Sequence, residues 1–418
     1  MEQIIFHIDV NSAFLSWTAV KLLKEGNDVD VRTIPAIIGG DREKRHGIVL
    51  AKSISAQKYG IKTGEPVADA LKKCPDIMII PPEHEYYREQ SRKFISILKE
   101  YTSDIEQVSV DECYFDYTGI QNKFSSYMSA AEVIKNRIQN ELGFTVNIGI
   151  SSKKVLAKMA SDFEKPNKIH TLFPEEIKTK MWPLPVGELF MAGKSSVEVL
   201  NKLGIHTIGQ LANTPVNIVE SHLKKHGKIL WEYANGIDDS KVNATKEDFK
   251  GIGNSTTLPT DLDKIDDINL VLLQLAVKVS GRLRESGQKA KTIAIEIKYN
   301  DFSKMSHQTS LYNATNVENE IYENAKQLFK DIWTGKPVRL LGIRTANLVG
   351  EDEPEQMSIF ELMNEKQSQK VQPSREKMKK LDKALDAIKN KYGEDKIKRA
   401  SLLAEQTVDM KNKKYYEE

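Results

Sequence analysis

The run Ser109-Val110-Asp111-Glu112-Cys113-Tyr114-Phe115-Asp116 sets two adjacent carboxylates between β-prone flanks, and a third, Asp9, follows the apolar run Ile4-Ile5-Phe6-His7-Ile8. Hard oxygen donors of this kind suit Mg²⁺. Two such ions roughly 3.5 to 4 Å apart can activate an attacking hydroxyl and stabilise the leaving oxygen of a phosphoryl transfer, and about three acids is the minimum that holds them. Adjacent acids in mid-strand point to opposite faces, so the chemistry needs a hairpin turn at which both converge on Asp9 from a neighbouring strand. The alternative is that Asp9 caps a helix beginning near Asn11 while Asp111 and Glu112 decorate a turn.

Two further segments carry phosphate chemistry. Gly149 to Ser161 runs from a strand into a helix containing Lys153, Lys154 and Lys158, and Lys165-Pro166-Asn167 follows its end. A lysine there can reach a triphosphate, with Pro166 fixing the backbone; a solvated lysine is the alternative. Ala192-Gly193-Lys194-Ser195 resembles the end of a phosphate-cradling ATPase loop, but Glu188 stands where that loop needs its first glycine. The segment reads better as a turn between short helices, where Gly193 lets backbone N–H groups approach a DNA phosphate. A glycine that merely connects helices is the other possibility.

Positioning these groups requires a sheet. Residues 1–170 read as mixed α/β, with strands at 4–8, 77–80, 108–117 and 145–150 and helices over 87–101 and 130–142. Prolines and glycines punctuate a small helical module over 171–240, and a polar stretch after Ile237 reads as a linker. From 251 to 350 the pattern is α+β: a helix around 270–284, an alternating strand at Ile293, Ile295, Ile297 and Tyr299, a strand at 308–312, a helix over 317–332 and a strand at 339–348. In the tail, Met378, Leu381, Leu385 and Ile388 mark a helix stripe that starts at Ser374 and stops near Gly393.

Composition limits the function classes. The 418 residues exceed one compact core and fit about two to four domains. With 29% charged and 40% hydrophobic residues and mean hydropathy −0.46, neither a disordered chain nor a membrane protein is indicated. The apolar N-terminal run is short and interrupted by Asp9, unlike a signal peptide. Cys74 and Cys113 are too few for a disulfide framework or a thiolate zinc site, which fits a reducing cytoplasm. A net charge of +2 does not by itself imply a nucleic-acid partner. The lysine clusters at 153–168, 224–228 and after Ser374 read singly as solvated helix faces.

The order Ile8-Asp9 with Phe14 five residues on, Ser109 to Glu112, Gly149 to Lys165-Pro166-Asn167, and then a helical module and a βαββαβ-like unit resembles the Y-family translesion DNA polymerases. The resemblance is nearest their DNA polymerase IV and V-like (ImpB/MucB/SamB type) branch and covers roughly residues 1–350. It implies an α+β multidomain, right-hand-like polymerase. The palm would be 1–13 and 81–170, the fingers 14–80, the thumb 171–240, the linker 241–250, the little finger 251–350 and the tail 351–418. It further implies template-directed, low-fidelity translesion synthesis from deoxynucleoside triphosphates on primer-template DNA, by a cytoplasmic monomer with two Mg²⁺ ions. Asp9 and Asp111 would touch both metals, Glu112 the metal near the primer hydroxyl, Phe14 the deoxyribose and Lys165 the triphosphate. Gly193, Lys194, Lys291, Arg339 and Arg344 are the expected DNA contacts. Gln356-Met357-Ser358-Ile359-Phe360 is similar to sliding-clamp-binding peptides, with Gln356, Ile359 and Phe360 as anchors; packing of this segment on the last domain is the alternative.

Some positions depart from the family pattern. Ile54 and Gln57 stand where the fingers usually carry a Tyr and an Arg for the triphosphate, which leaves Lys52, Lys58 or the hydroxyls of Ser53 or Ser55 to compensate. Lys153 replaces the usual Asn, and Lys168 the usual Gly after Lys-Pro-Asn. Two rival functions follow: a weakly active or non-catalytic DNA-binding protein on the same fold, and a two-metal nucleotidyl cyclase. The cyclase would leave the helical module and the C-terminal unit unexplained.

Overall fold

The computed structural model describes residues 3–40, 47–245, 250–353, 375–393, 396–397 and 399–402. They form two compact units, one built chiefly from residues up to 246 and one from residue 247 onward. Gln356, Ile359 and Phe360 lie outside the described residues. Among the described residues no helix is long and apolar enough to cross a membrane.

The first unit is organised by a strand that buries both its faces. Ile5–Val10 lies at the centre of a five-stranded sheet, antiparallel to Glu112–Asp116 on one side and to Val146–Ser151 on the other, with Ile105–Gln107 and Ile169–Thr171 at the edges. The strand period of two sends Phe6, Ile8 and Val10 into a core with Trp17, Phe94, Ile134 and Ile138. Ile5, His7 and Asp9 occupy the other face, where Ile5 packs with Tyr114 and Ala157. Ala157 belongs to helix Lys154–Ser161, whose backbone rests on the neighbouring strand at Gly149. A Cβ at Gly149 would meet Ala157 O at 2.0 Å and Ser161 N at 2.3 Å, so only glycine permits this approach.

The expected strand over 108–117 is divided by a tight turn. Val108 and Ser109 both donate backbone N–H to Glu112 O, at 3.1 and 3.3 Å, which puts Asp111 in the turn and Glu112 at the head of the returning strand. Asp9 does not cap the following helix. That helix, Ala13–Lys24, is preceded at its cap by Ser12, held at φ 45° and ψ 53°. A small sheet of Val49–Lys52, Ala36–Gly39 and Met78–Ile80 carries the short helices Ile54–Gln57 and Val67–Lys73. Helices Lys194–Lys202, Ile208–Asn213 and Val216–Ala234 form the expected helical module around Leu200, Leu211, Val219 and Leu230.

The start of the expected linker is packed rather than free. Asp238 Oδ2 accepts the Val155 N–H at 2.9 Å at the start of helix Lys154–Ser161, Asn243 N donates to Glu106 Oε2 at 2.8 Å, and Val242 packs beside Ile5. These contacts use the orphan N–H of a helix terminus and a half-buried carboxylate, which a polarity profile does not reveal.

The second unit follows the order βαββαβ, with strands Gly251–Leu262, Gln288–Tyr299, Lys304–Thr315 and Val338–Gly350 and helices Ile265–Glu285 and Glu318–Ile332. The sheet is antiparallel throughout, with Gly251–Leu262 and Lys304–Thr315 at its edges. Ile293, Ile295, Ile297, Leu341 and Ile343 pack against both helices, and the opposite face forms an open trough of about 1040 Å³. A third helix, Arg375–Tyr392, confirms the expected tail helix but not its stripe. Leu381 and Ile388 are exposed, while Asp382 is buried and engages Arg284. A buried arginine, rather than an apolar groove, sets which face turns inward.

Candidate active site

The strand register brings the acids together. Asp9 pairs directly with Glu112 across the antiparallel ladder, so both side chains lie on one face, and Val10 N donates to Asp111 O at 2.9 Å. Ser109 organises the turn: its hydroxyl donates to Asp111 Oδ1 at 2.5 Å and receives the Glu112 N–H at 3.2 Å. The backbone thus sets Asp9 and Glu112 side by side, with Asp111 in the adjoining turn.

Two lysines confront these acids. Lys158 Nζ donates to Glu112 Oε2 at 3.0 Å and lies 3.3 Å from Asp162. Lys165 Nζ contacts Asp9 and, at 2.9 Å, Asp162. Burial works against both ammonium groups, but the surrounding carboxylates outweigh it and raise both lysines above their usual range. Asp111 shows the opposite imbalance, since burial and then the charges of Asp9 and Glu112 push its carboxyl up despite the Ser109 hydrogen bond. His7 and then Lys158 hold Glu112 down at about 2, against its burial.

The lysine-bearing loop is fixed by buried amides. Asn11 Oδ1 accepts the Asn167 N–H at 2.9 Å and the Thr145 hydroxyl at 3.0 Å. Asn147 accepts Lys168 N–H at 3.1 Å and donates to the Ser161 and Glu164 carbonyls at 3.1 and 2.8 Å. The sequence reading assigned no role to Asn11, Asn147, Asp162, Ser161 or His7, and counted Lys158 only within a basic cluster. His7 was accessible to it, because residues two apart on a strand share a face and His7 stands two before Asp9.

Whether a hard cation suits this donor set turns on charge. Asp111 carries negative neighbours that make its own ionised form costly, and two oxygen-rich partners stand beside it, which is the environment a divalent ion relieves. Among the described residues, however, no three acidic, His or Cys side chains stand close enough to hold a metal as they are oriented. Lys165 draws Asp9 one way and Lys158 draws Glu112 another. The donor chemistry fits; the side chains are turned toward ammonium groups.

The other expected residues are more scattered. Phe14 is half-buried and stacks face to face on Tyr87, with ring centroids 4.6 Å apart. Ile54 is 54% exposed and Gln57 is exposed, whereas the Ser53 hydroxyl accepts the Ala36 and Ala56 N–H groups and Ser55 donates to Thr33 O. Both serine hydroxyls thus bond to the backbone, Ser53 as acceptor and Ser55 as donor. Gly193 caps helix Lys194–Lys202, with Lys194 exposed in its first turn. In the second unit Arg344 lines the open trough, Arg339 lies over the Phe302 ring at 4.7 Å, and Lys291 pairs with Glu353 at 2.8 Å.

The impB/mucB/samB family matches residues 8–162, and its C-terminal domain matches residues 249–359. The chain is 46% identical to a DNA polymerase IV of Clostridium acetobutylicum over 96% of its own length and 99% of that protein. It is 36% identical to DNA polymerase IV 2 of Bacillus subtilis over 96% of this chain and 95% of that one. Among solved structures, a Y-family DNA polymerase chimera superposes with TM-score 0.71 at 21% identity, covering 83% of this chain and 99% of the chimera, a likeness of fold.

Proposed function

Since this chain belongs to the impB/mucB/samB family and is a Y-family DNA-directed DNA polymerase of translesion synthesis, we propose that Asp9, Asp111 and Glu112 hold two Mg²⁺ ions at its active site. The observation that carries this is the Asp9–Glu112 register with Asp111 in the adjoining turn. Bound there, the ions supply Lewis-acid stabilisation of the phosphoryl group and lower the pKa of the attacking primer hydroxyl. The protein's own contribution is orientation and charge. Ser109 fixes Asp111, and Lys158 and Lys165 are positioned to exchange their carboxylate partners for the oxygens of a triphosphate. Phe14 lies against the deoxyribose and leaves no room for a 2′-hydroxyl. Short fingers limit shape discrimination, so fidelity is low.

We assign residues 1–13 and 81–170 to the palm, 14–80 to the fingers, 171–240 to the thumb and 251–350 to the little finger. Gly193 and Lys194 in the thumb and Lys291, Arg339 and Arg344 in the little finger grip phosphates. Gln356, Ile359 and Phe360 tether the enzyme to a sliding clamp, raising its local concentration at the primer end.

Primer extension on an undamaged template, with and without Mg²⁺, tests the site. Asp111→Ala or Glu112→Ala should lower extension by at least about 10²–10³-fold while leaving DNA binding intact, and extension like wild type would overturn the metal assignment. In the same assay Phe14→Ala should raise ribonucleotide incorporation; an unchanged preference would make Phe14 a packing residue. Combining Ile359→Ala with Phe360→Ala should abolish stimulation by a loaded clamp without altering distributive extension, and full stimulation would place the clamp contact elsewhere.

A further inference from the structure

We propose that His7 is a positioning residue for Glu112, holding one carboxylate oxygen so that the other remains presented to the metal site. The inference rests on the assignment of Glu112 as a metal ligand and names what keeps that ligand in place.

His7 is 1% exposed, deep in the strand that also carries Asp9. Its ring meets Tyr114 edge-on, with centroids 4.8 Å apart, which fixes the imidazole plane. Nδ1 lies 2.8 Å from Ser161 Oγ, and Nε2 lies 3.4 Å from Glu112 Oε2. A carboxylate can only accept, so the nitrogen that faces it carries the hydrogen. In the neutral ring Nδ1 is then the acceptor for the one hydrogen of the Ser161 hydroxyl, for which Lys158 O, 2.8 Å from Ser161 Oγ, competes. The 3.4 Å separation is long for a hydrogen bond, as contacts at catalytic groups often are before substrate binds.

Both holders of Glu112 act on the same oxygen. Lys158 Nζ is 3.0 Å from Oε2, the atom that His7 also faces, so neither engages Oε1. The two holders differ in permanence. Lys158 is a long side chain with a second carboxylate, Asp162, in reach, and arrival of a triphosphate offers it phosphate oxygens. His7 has no such freedom: the sheet, Tyr114 and Ser161 enclose it. When Lys158 turns to phosphate, the buried imidazole is the group that still orients Glu112. Outer partners of this kind set the direction of a ligand, and removing one typically weakens metal affinity about 10–100-fold.

The test uses the full chain bound to primer-template with a dideoxy-terminated primer and a deoxynucleoside triphosphate, reading Mn²⁺ affinity by electron paramagnetic resonance. Extension with an ordinary primer gives the Mg²⁺ concentration for half-maximal rate. His7→Gln can place an N–H near the position of imidazole Nε2, whereas His7→Asn reaches only toward the Nδ1 side. His7→Asn should weaken Mn²⁺ binding and raise the Mg²⁺ requirement at least about tenfold, and His7→Gln should restore both to within about threefold. Thermal unfolding confirms that both variants fold, and His7→Leu extends the series if it also folds. Equal behaviour of His7→Gln and His7→Asn, whether both like wild type or both impaired, would overturn the proposal. Glu112→Gln separates it from the metal assignment. If Glu112→Gln binds Mn²⁺ as wild type does, Glu112 is not a ligand and the premise fails. If Glu112→Gln loses binding and His7→Asn does not, only the role of His7 fails. The His7→Asn effect must also vanish in the Glu112→Gln background, and an additive loss would mean His7 acts by another route.

Discussion

Each unit of this protein contains a knot of carboxylates and cations, and the two are built from different cations. In the first unit, Asp9 and Glu112 face Lys158 and Lys165, with Asp111 beside them. In the second, Arg284 bridges to Asp386 through Nε and a terminal nitrogen, at 2.5 and 2.9 Å, and reaches Asp382 at 3.4 Å and Asn316 O at 2.9 Å. Asp382 also accepts the Glu318 N–H at 3.0 Å, at the start of helix Glu318–Ile332. A guanidinium in a bidentate fork has its donors fixed by geometry, whereas an ammonium is a point charge on a flexible stem. The arginine knot is closed on itself. The lysine knot is a set of charges whose partners can be exchanged, and one of its acids is held in a state it resists. Exchangeability is what the proposed metal and triphosphate site would require; permanence is what docks a tail helix.

The largest expected effect that separates the two knots comes from removing the fork. Arg284→Ala leaves two carboxylates facing each other in a mostly buried place, since the Arg284 and Asp382 side chains are 9% and 5% exposed. Breaking one partner of a buried pair costs about 3–5 kcal/mol. The variant should therefore unfold earlier and lose hydrogen-exchange protection over Arg375–Tyr392. Extension per folded molecule should hold. A stability unchanged within error would mean that the second knot is as exchangeable as the first.

Much of the first knot was legible in the sequence because its grammar is local. Adjacent acids beside a turn, and a carboxylate ending an apolar strand, need only the period of two and a hairpin to meet. The strand Gly251–Leu262 was passed over by pattern alone. Its residues Gly251-Ile252-Gly253-Asn254-Ser255 alternate poorly, and Pro259 is tolerated because the strand lies at an edge. The tail helix was found, but only part of its apolar stripe, Met378 and Leu385, is even half-buried. Hydrophobic spacing favoured Leu381 and Ile388, whereas the inward positions belong to acids whose partner lies about a hundred residues away, at Arg284. Lys158 and Ser161 were obscured for the same reason: what gives them meaning is a strand pairing across the fold, not their neighbours in sequence.

A smaller effect tests the imbalance inside the first knot. Glu112 sits at about 2, below its ordinary 4.5, so its ionised form stabilises the fold. That contribution is complete above about pH 4.5 and is lost as pH falls toward 2. Asp111 has the opposite sign: its carboxyl is raised, so its ionised form is penalised at neutral pH and the penalty fades as pH falls through the raised value. With metal chelated at pH 7, Glu112→Gln should lower the unfolding midpoint, corresponding to a loss of stability on the order of 2 kcal/mol after solvent screening. Asp111→Asn should raise it, although both substitutions should also lower extension. Midpoints moving in the same direction would show that the knot does not hold one acid against its preference.

The smallest effect asks whether an exposed lysine pair in the second unit behaves like the lysine knot or like the arginine fork. Lys291 and Glu353 are 2.8 Å apart, with side chains 42% and 39% exposed. Pairs of this kind are worth little, with a median near 0–1 kcal/mol, because water and salt compete for both partners. Lys291→Ala should therefore leave the unfolding midpoint of the protein nearly unchanged. Its cost should appear instead in DNA affinity, because a lysine that leaves its carboxylate for a phosphate releases a condensed counterion from the duplex. The slope of log affinity against log salt between about 50 and 200 mM should then fall in magnitude by about one, independently of sequence. Arg344→Ala, on the open trough, should do the same. If the Lys291 slope stays at the wild-type value while that of Arg344 falls, the Glu353 pair is kept in the complex. Permanence would then depend on where a pair sits rather than on which cation makes it.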